Sequence, residues 1–412
     1  MDWEALGFRN NPLDTDPIKQ KTLALYVGHT KEIHICSNVL AGKNVNLIVE
    51  GARGIGTTSF ANLMRFNAQI KKYYFTPAKE IRVEAGWTIE TLFAAIISNV
   101  VRGLELAFEK KVVGNKKFQQ AKAISSRIAE IYRNFGAQIG AYGFNVGVNY
   151  DKSPGVVTQP VIIPTNVLGD HLEELAQIIK ALGFKNGLLI QLNNLDVGII
   201  HEEKYLKYLF NSLRDYMQTD GISWILVGDE GLHSFIAQEV DRLDDIISHE
   251  VFIDSLSENE FKKLIEYRVN YYRINKKVKL PVDWSVMLYL YRLTNGRLRY
   301  VFGLLSRMLS LLHIGDLVDN ISLGVAKPLI DSIMKERLRQ KNLSELQEEV
   351  LKILANHDNC SVSVISKLIG KSASHISHVL RELENLRLLK RTKKGKNVYV
   401  CPIFDVVIAY KK

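Results

Sequence analysis

An α/β chain closed by a small helix-and-hairpin unit is expected from three features of the sequence. Residues 45–50 and 187–192 are apolar runs that read as buried strands and end in polar turns. A glycine-rich turn follows the first run and leads directly into a helical pattern, the strand, loop and helix order of a phosphate cradle. Residues 343–412 read as three short helices and a lysine-bearing hairpin.

The chain has 412 residues, too many for one ordinary core, so two or three domains are expected. Apolar residues make up 47% and charged residues 24%, which excludes a disordered or collagen-like chain. The start, Met1-Asp2-Trp3-Glu4, lacks the basic and apolar stretches of a secretory signal, and charges are expected to interrupt every apolar run before it could span a bilayer. A cytoplasmic chain with no membrane partner is the resulting expectation. Cys36, Cys360 and Cys401 lie far apart and form no zinc pattern, so no metal site is expected. The net charge of +10 favours an anionic partner, and the position of the cations says more than their number.

Val45 to Glu50 is the first strand, followed by Gly51-Ala52-Arg53-Gly54-Ile55-Gly56-Thr57-Thr58 and a helix expected over Ser59 to Ile70. The P-loop template GxxxxGK[ST] is met at Gly51, Gly56 and Thr58, with Gly54 as an extra glycine, while Thr57 takes the lysine position. Glycines let backbone N–H groups turn around a phosphate, and a helix N-terminus adds positive potential, so part of an anion site survives without a cationic side chain. The missing ammonium forfeits a charged hydrogen bond worth roughly 1.5 to 3 kcal/mol, so ATP or ADP is expected to bind weakly. Arg53 is the nearest replacement cation.

The second run ends in Asn193-Asn194-Leu195-Asp196. A working P-loop ATPase has two acids here, one holding magnesium through water and the next polarising the attacking water. Asn193 and Asn194 carry no charge, which makes them poor magnesium partners and unable to act as a general base. Asp196, two residues late, is either a surface carboxylate or a weak substitute.

With these motifs the chain resembles the AAA+ ATPases of the origin-recognition and archaeal replication-initiator clade, and the related signal-transduction ATPases, over most of its length. Asn11-Pro12-Leu13 and the segment 26–33 are similar to that family's opening motif beside the adenine, with His29 in place of the usual arginine. The segment 223–229 resembles the strand that carries sensor 1, Asp229 standing near its polar position. Arg242 falls where the family places its arginine finger, and is otherwise an exposed helix arginine. Gly296-Arg297-Leu298-Arg299 is similar to the sensor 2 motif, in which Arg299 faces phosphate or else bridges domains.

The resemblance implies an α/β fold with a P-loop AAA+ core and parallel sheet over 1–255, an insertion at about 100–165, a helical lid over 256–342, and a C-terminal winged helix-turn-helix over 343–412. Ser257 and Glu260 independently predict a capping box ahead of a helix with Phe261, Leu264, Ile265 and Val269 on its apolar face. Small and apolar residues alternate over 135–150, as in a twisted hairpin that could touch a partner protein. Residues 170–183 form an amphipathic helix whose stripe, Leu172, Leu175, Ile178, Ile179 and Leu182, is core. Homo-oligomers enter by the resemblance only.

In the C-terminal unit, Ser344 and Gln347 cap a first helix, and a second stops at Gly370. Lys371 and Ser372 form the turn before a third helix, which buries Ile376, Val379, Leu380, Leu383 and Leu386. Ser374, His375, Ser377, His378 and Arg381 remain on its open face, the layout of a recognition helix. Lys390, Arg391, Lys393, Lys394 and Lys396 gather on a hairpin wing that can reach phosphates, so DNA is the expected partner, with protein contact as the alternative. His375 and His378 find no third ligand for zinc. The expected function is that of a DNA-binding, non-hydrolysing AAA+-like assembly factor or regulator with nucleotide as structural ligand or switch. The alternatives are a DNA-stimulated ATPase working through Arg53, Asp196 or Asp229, and a protein scaffold of a defence, transposition or replication complex.

Overall fold

Five strands, β1 (Asn46–Gly51), β2 (Ile81–Arg82), β3 (Leu188–Asn193), β4 (Ile222–Gly228) and β5 (His249–Ile253), pair in parallel in the order β2-β3-β4-β1-β5. This computed structural model describes residues 2–84, 86–134, 164–197, 200–312, 320–357, 360–386, 388–394 and 397–410. The near-continuous apolar sequence of β1, β3 and β4 is what a parallel sheet covered on both faces requires.

Pleating sends successive side chains to opposite faces and so splits each strand between two cores. Ile48, Ile190, Trp224 and Leu226 join Leu92, Leu172 and Leu209 from the helices Ile89–Val112, Thr165–Ala181 and Ile200–Leu213. Leu47, Val49, Leu189, Ile225 and Val227 join Cys36, Phe60 and Met64 from the helices Thr30–Val39 and Thr57–Ile70. Three layers result. Because all five strands run one way, their carboxyl ends share one edge of the sheet, the edge where open α/β sheets hold ligands.

Helix Ile89–Val112 corrects the expectation that charge breaks every apolar run. By length and composition it is long and apolar enough to cross a bilayer. Its Leu92, Phe93, Ile96, Ile97, Val100 and Leu104 are instead buried in the first core, with no charged residue between Thr91 and Val101 to interrupt that face. The helix Lys116–Asn134 packs on it, Ser125 Oγ donating to Ser98 Oγ at 3.0 Å and Lys122 Nζ lying 2.5 Å from Glu105 Oε1. The alternating segment 135–150 lies outside the described residues.

The sheet belongs to a unit spanning Asp16–Leu264, while Met1–Thr15 and Ile265–Lys412 form a second. Residues 1–15 thus fall within the second unit, where backbone pairing ties them to the chain after Ile265. Arg9 N donates to Tyr272 O and Ile274 N to Gly7 O, each at 2.8 Å, and Arg268 Nη2 donates to Asp14 O at 2.6 Å.

Ser257 and Glu260 form the capping box at the start of the helix Glu258–Tyr272, Ser257 N donating to Glu260 Oε2 at 2.8 Å and Glu260 N to Ser257 Oγ at 3.3 Å. The Ser257 hydroxyl, and next its backbone N–H, hold the Glu260 carboxyl below the usual carboxylate range. A carboxyl lowered in the fold contributes stability that is complete above its ordinary value and lost as pH falls through the lowered one. Ser257→Ala should therefore cost about 1 kcal/mol near neutrality. The gap between the wild-type and variant thermal melts should narrow in acid, and a gap that stays constant to pH 3 would contradict this role.

Three further helices, Trp284–Leu293, Leu298–Leu311 and Leu323–Arg339, precede the C-terminal segment. There the helices Glu345–Asn356, Val362–Ile369 and Ala373–Asn385 accompany an antiparallel sheet of β6 (Cys360–Ser361), β7 (Leu389–Lys394) and β8 (Asn397–Pro402), ordered β6-β8-β7. Ser344 and Gln347 cap the first helix reciprocally, and Gly370, at φ +73°, ends the second.

Candidate functional site

The turn after β1 is narrow and held from below. Ile55 is buried, and its N–H donates to Ala52 O at 3.0 Å. Gly54 at φ +88° and Gly56 at φ +126° take backbone conformations that side-chain-bearing residues avoid, and a Cβ on Gly51 would overlap the carbonyl oxygen of Ile253. The helix Thr57–Ile70 begins two residues earlier than expected, with Gly56 at its N-cap offering no side-chain acceptor. The first N–H groups of a helix lack intrahelical partners. Those of Gly56, Thr57 and Thr58 are thus available to an anion, as a phosphate cradle requires.

The end of β3 is joined to the helix after the glycine turn by a chain of neutral bonds. Asn193, at the end of β3 and only 3% exposed, donates from Nδ2 to Thr58 Oγ1 at 3.4 Å. Its Oδ1 accepts from Gln191 Nε2 at 2.9 Å. Gln191 is a residue that strand periodicity assigns only to a buried run, and the available signal was its polarity in an apolar strand. Magnesium prefers carboxylate and water oxygens in octahedral array. Two neutral amides and a hydroxyl already bonded to one of them do not fit it. Asn194 is exposed at φ +67° and turns the chain away from the strand.

Four expected ligand groups already have partners within the chain. Arg53 is exposed with Nη2 3.8 Å from Asp196 Oδ2, so the two candidate replacement charges face each other. Asp229 Oδ1 accepts the Val197 N–H at 2.8 Å and thereby fixes the 194–197 turn. His29, at φ +54°, has Nε2 2.9 Å from Asp254 O and Nδ1 2.9 Å from the Tyr26 hydroxyl. A carbonyl only accepts, so Nε2 carries the proton and, in the neutral ring, Nδ1 accepts from Tyr26. Burial pushes the Tyr26 hydroxyl far up, which keeps it a donor. Both ring nitrogens of His29 are thus spent on structure.

Glu50 is a residue that the motifs do not single out. Its Oε2 accepts the N–H of His233 at 2.9 Å, at the start of the helix Leu232–Glu239, and His233 Nε2 lies 3.2 Å from Asp244 Oδ1. Arg242 is exposed on the short helix Asp241–Asp244 beside it. Arg299 is exposed in the first turn of Leu298–Leu311, within the second unit.

On the C-terminal segment, Lys371, Ser374, His375, His378 and Arg381 are exposed and Ser377 is half-buried. Ser372 is the N-cap of the third helix, its Oγ accepting the His375 N–H at 3.3 Å. His378 Nδ1 lies 3.3 Å from Glu382 Oε1. Arg391 is engaged as well. Its Nε donates to Glu384 Oε2 at 2.7 Å, Nη2 joins the same oxygen, and its backbone N–H reaches Oε1 at 3.2 Å, so that guanidinium is already paired. Ile376, Val379, Leu380 and Leu383 are buried as expected, and Leu386 is half-buried beyond the helix end. Lys390, Lys393 and Lys394 stand on β7, opposite Cys401, Val398 and Asn397 of β8, and Lys396 lies outside the described residues.

No protein-family model and no curated protein matches the chain. Among solved structures, the Aeropyrum pernix ORC2 protein in its ADPNP–ADP complexes is similar over 97% of this chain and 95% of that one, at 14% identity and TM-score 0.52. The Aeropyrum pernix ORC1 protein in complex with DNA is similar over 93% and 92%, at 15% identity and TM-score 0.47. A Thermotoga maritima RuvB is similar over 94% and 95%, at 13% identity and TM-score 0.44. The fold is thus similar to that of the ORC2 protein, and the mixed α/β class with its parallel sheet is as expected.

Proposed function

We propose that this chain is a DNA-associated AAA+-like assembly factor or regulator that holds a nucleotide as a structural ligand or switch and does not hydrolyse it. The observation that carries this reading is the chain Gln191 to Asn193 to Thr58, which fills with neutral hydrogen bonds the place where cleavage needs a metal and two acids. In this reading the nucleotide phosphates rest on the backbone N–H groups of Gly54, Gly56, Thr57 and Thr58 and on the positive end of the helix. Arg53 contributes only by leaving Asp196. ADPNP and ADP are the ligands named for the ORC2 structure of the same fold. A bound nucleotide acts as a switch only through contacts that differ between two states.

Residues 343–412 are read as a winged helix-turn-helix and 256–342 as the lid. The winged unit meets DNA through Lys371, Ser374, His375, Ser377, His378 and Arg381, with the lysines of the β7–β8 hairpin on phosphate. Arg242, exposed, is the residue that a neighbouring copy or partner protein would engage.

Purified chain should bind ATP or ADP equally well with and without EDTA, and phosphate release should stay at background with or without DNA. Sustained release over many cycles, abolished by Thr58→Ala, would replace this reading with that of an ATPase. In gel shifts, K393E/K394E/K396E should weaken duplex binding, each lost phosphate contact reducing the salt slope by about one. A wild-type chain that shifts no DNA would leave the protein scaffold as the better account.

A further inference from the structure

The segment from Tyr267 to Lys279 carries five cations and no carboxylate. Tyr267 and Tyr271 are 49% and 46% exposed, and Ile274 is 52% exposed. Exposed large side chains that cluster on one face mark interaction surfaces, whereas single ones are ordinary. A spacing of four on the helix Glu258–Tyr272 puts the two tyrosines on one face, about 6 Å apart along the axis. Lys276, Lys277 and Lys279 follow at once, all exposed.

This surface is held in shape. Arg273 Nη1 donates to Lys276 O at 3.0 Å, Lys277 N to Asn275 Oδ1 at 3.0 Å, and Ile274 N to Gly7 O at 2.8 Å. Tyr271 also packs edge-on against Tyr272, with centroids 4.9 Å apart. Nothing in it belongs to the phosphate turn or to the third helix of the C-terminal segment.

We propose that this surface binds single-stranded nucleic acid, Tyr267 and Tyr271 stacking on unpaired bases while Lys276, Lys277 and Lys279 meet the phosphates. Rings need base faces, and a duplex hides these within its stack, offering only edges in its grooves. An acidic peptide would answer the lysines and leave the rings without a planar partner.

The test uses the full chain and fluorescence anisotropy at one fixed salt concentration, with labelled oligothymidylate, an abasic oligomer of equal length, and a blunt duplex as probes. Oligothymidylate should bind more tightly than the abasic strand, by roughly tenfold for each stacked base. Y267A/Y271A should bring oligothymidylate down to the abasic level and leave duplex binding unchanged, while Y267F/Y271F should bind like the wild type. Equal affinity for thymidylate and abasic strands would overturn the proposal, as would alanine variants that bind like the wild type. An equal loss of single-strand and duplex binding would overturn it as well. The duplex arm keeps this outcome separate from that of the hairpin lysines.

Discussion

Lysine in place of Thr57 should tighten ATP and ADP binding by about one to two orders of magnitude, the worth of one hydrogen bond from a cation to an anionic oxygen. Thr57 is the first residue of the helix that follows the glycine turn and is half-buried there. Isothermal titration of Thr57→Lys against the wild type measures the gain. Unchanged affinity would mean that phosphate does not sit at the start of this helix. The companion change Asn193→Asp puts a carboxylate where Gln191 Nε2 now donates and removes the donor to Thr58. With both changes present, nucleotide affinity should become sensitive to EDTA, because the site then offers the charged oxygen that magnesium requires.

Arg65→Met should lower stability by about 3 kcal/mol, the loss expected when one partner of a buried charged network is removed. Arg65 is 1% exposed on the helix that follows the phosphate turn. Its Nη1 donates to Pro77 O at 2.6 Å and Thr76 Oγ1 at 3.0 Å, its Nε donates to Asn62 Oδ1 at 3.2 Å, and Glu80 Oε2 lies 3.7 Å from Nη2. Burial pulls the guanidinium down to about 10, with Glu80 acting against that shift, so it stays charged at neutral pH. Removing it leaves those acceptors desolvated and unanswered. For a unit of this size the melting temperature should fall by roughly 6–12 °C. Arg65→Lys should restore little, because one ammonium cannot reproduce a planar fork of donors. A melt within about 2 °C of the wild type would show that the network is not needed for the fold.

What the sequence makes legible is whatever local pattern encodes. The runs at β1, β3 and β4 read as strands because both sheet faces are covered and polar residues are nearly excluded. β2 has two residues, and β5, at the sheet edge, exposes Glu250 and Phe252, so neither leaves a recognisable run. The glycine turn after β1 is equally legible, since its glycines answer a local backbone demand. The fates of its neighbours are set by residues distant in sequence. His29 is claimed by Asp254, Asp229 by Val197, and Asn193 reaches Thr58 from a strand that β4 separates from β1. Arg391 meets Glu384 only because the third helix and β7 fold against each other.

Glu50 joins two stretches of backbone that are far apart along the chain. Gly231 has no side chain to steady the first turn of Leu232–Glu239, and a carboxylate from the strand does so instead, where a negative charge is favoured. The first turn of that helix is thus tied both to the end of β1 and, through Leu232 N to Asp229 O at 3.3 Å, to its own leading loop. A displacement at one place must be shared by the other, as two wheels on one axle turn together.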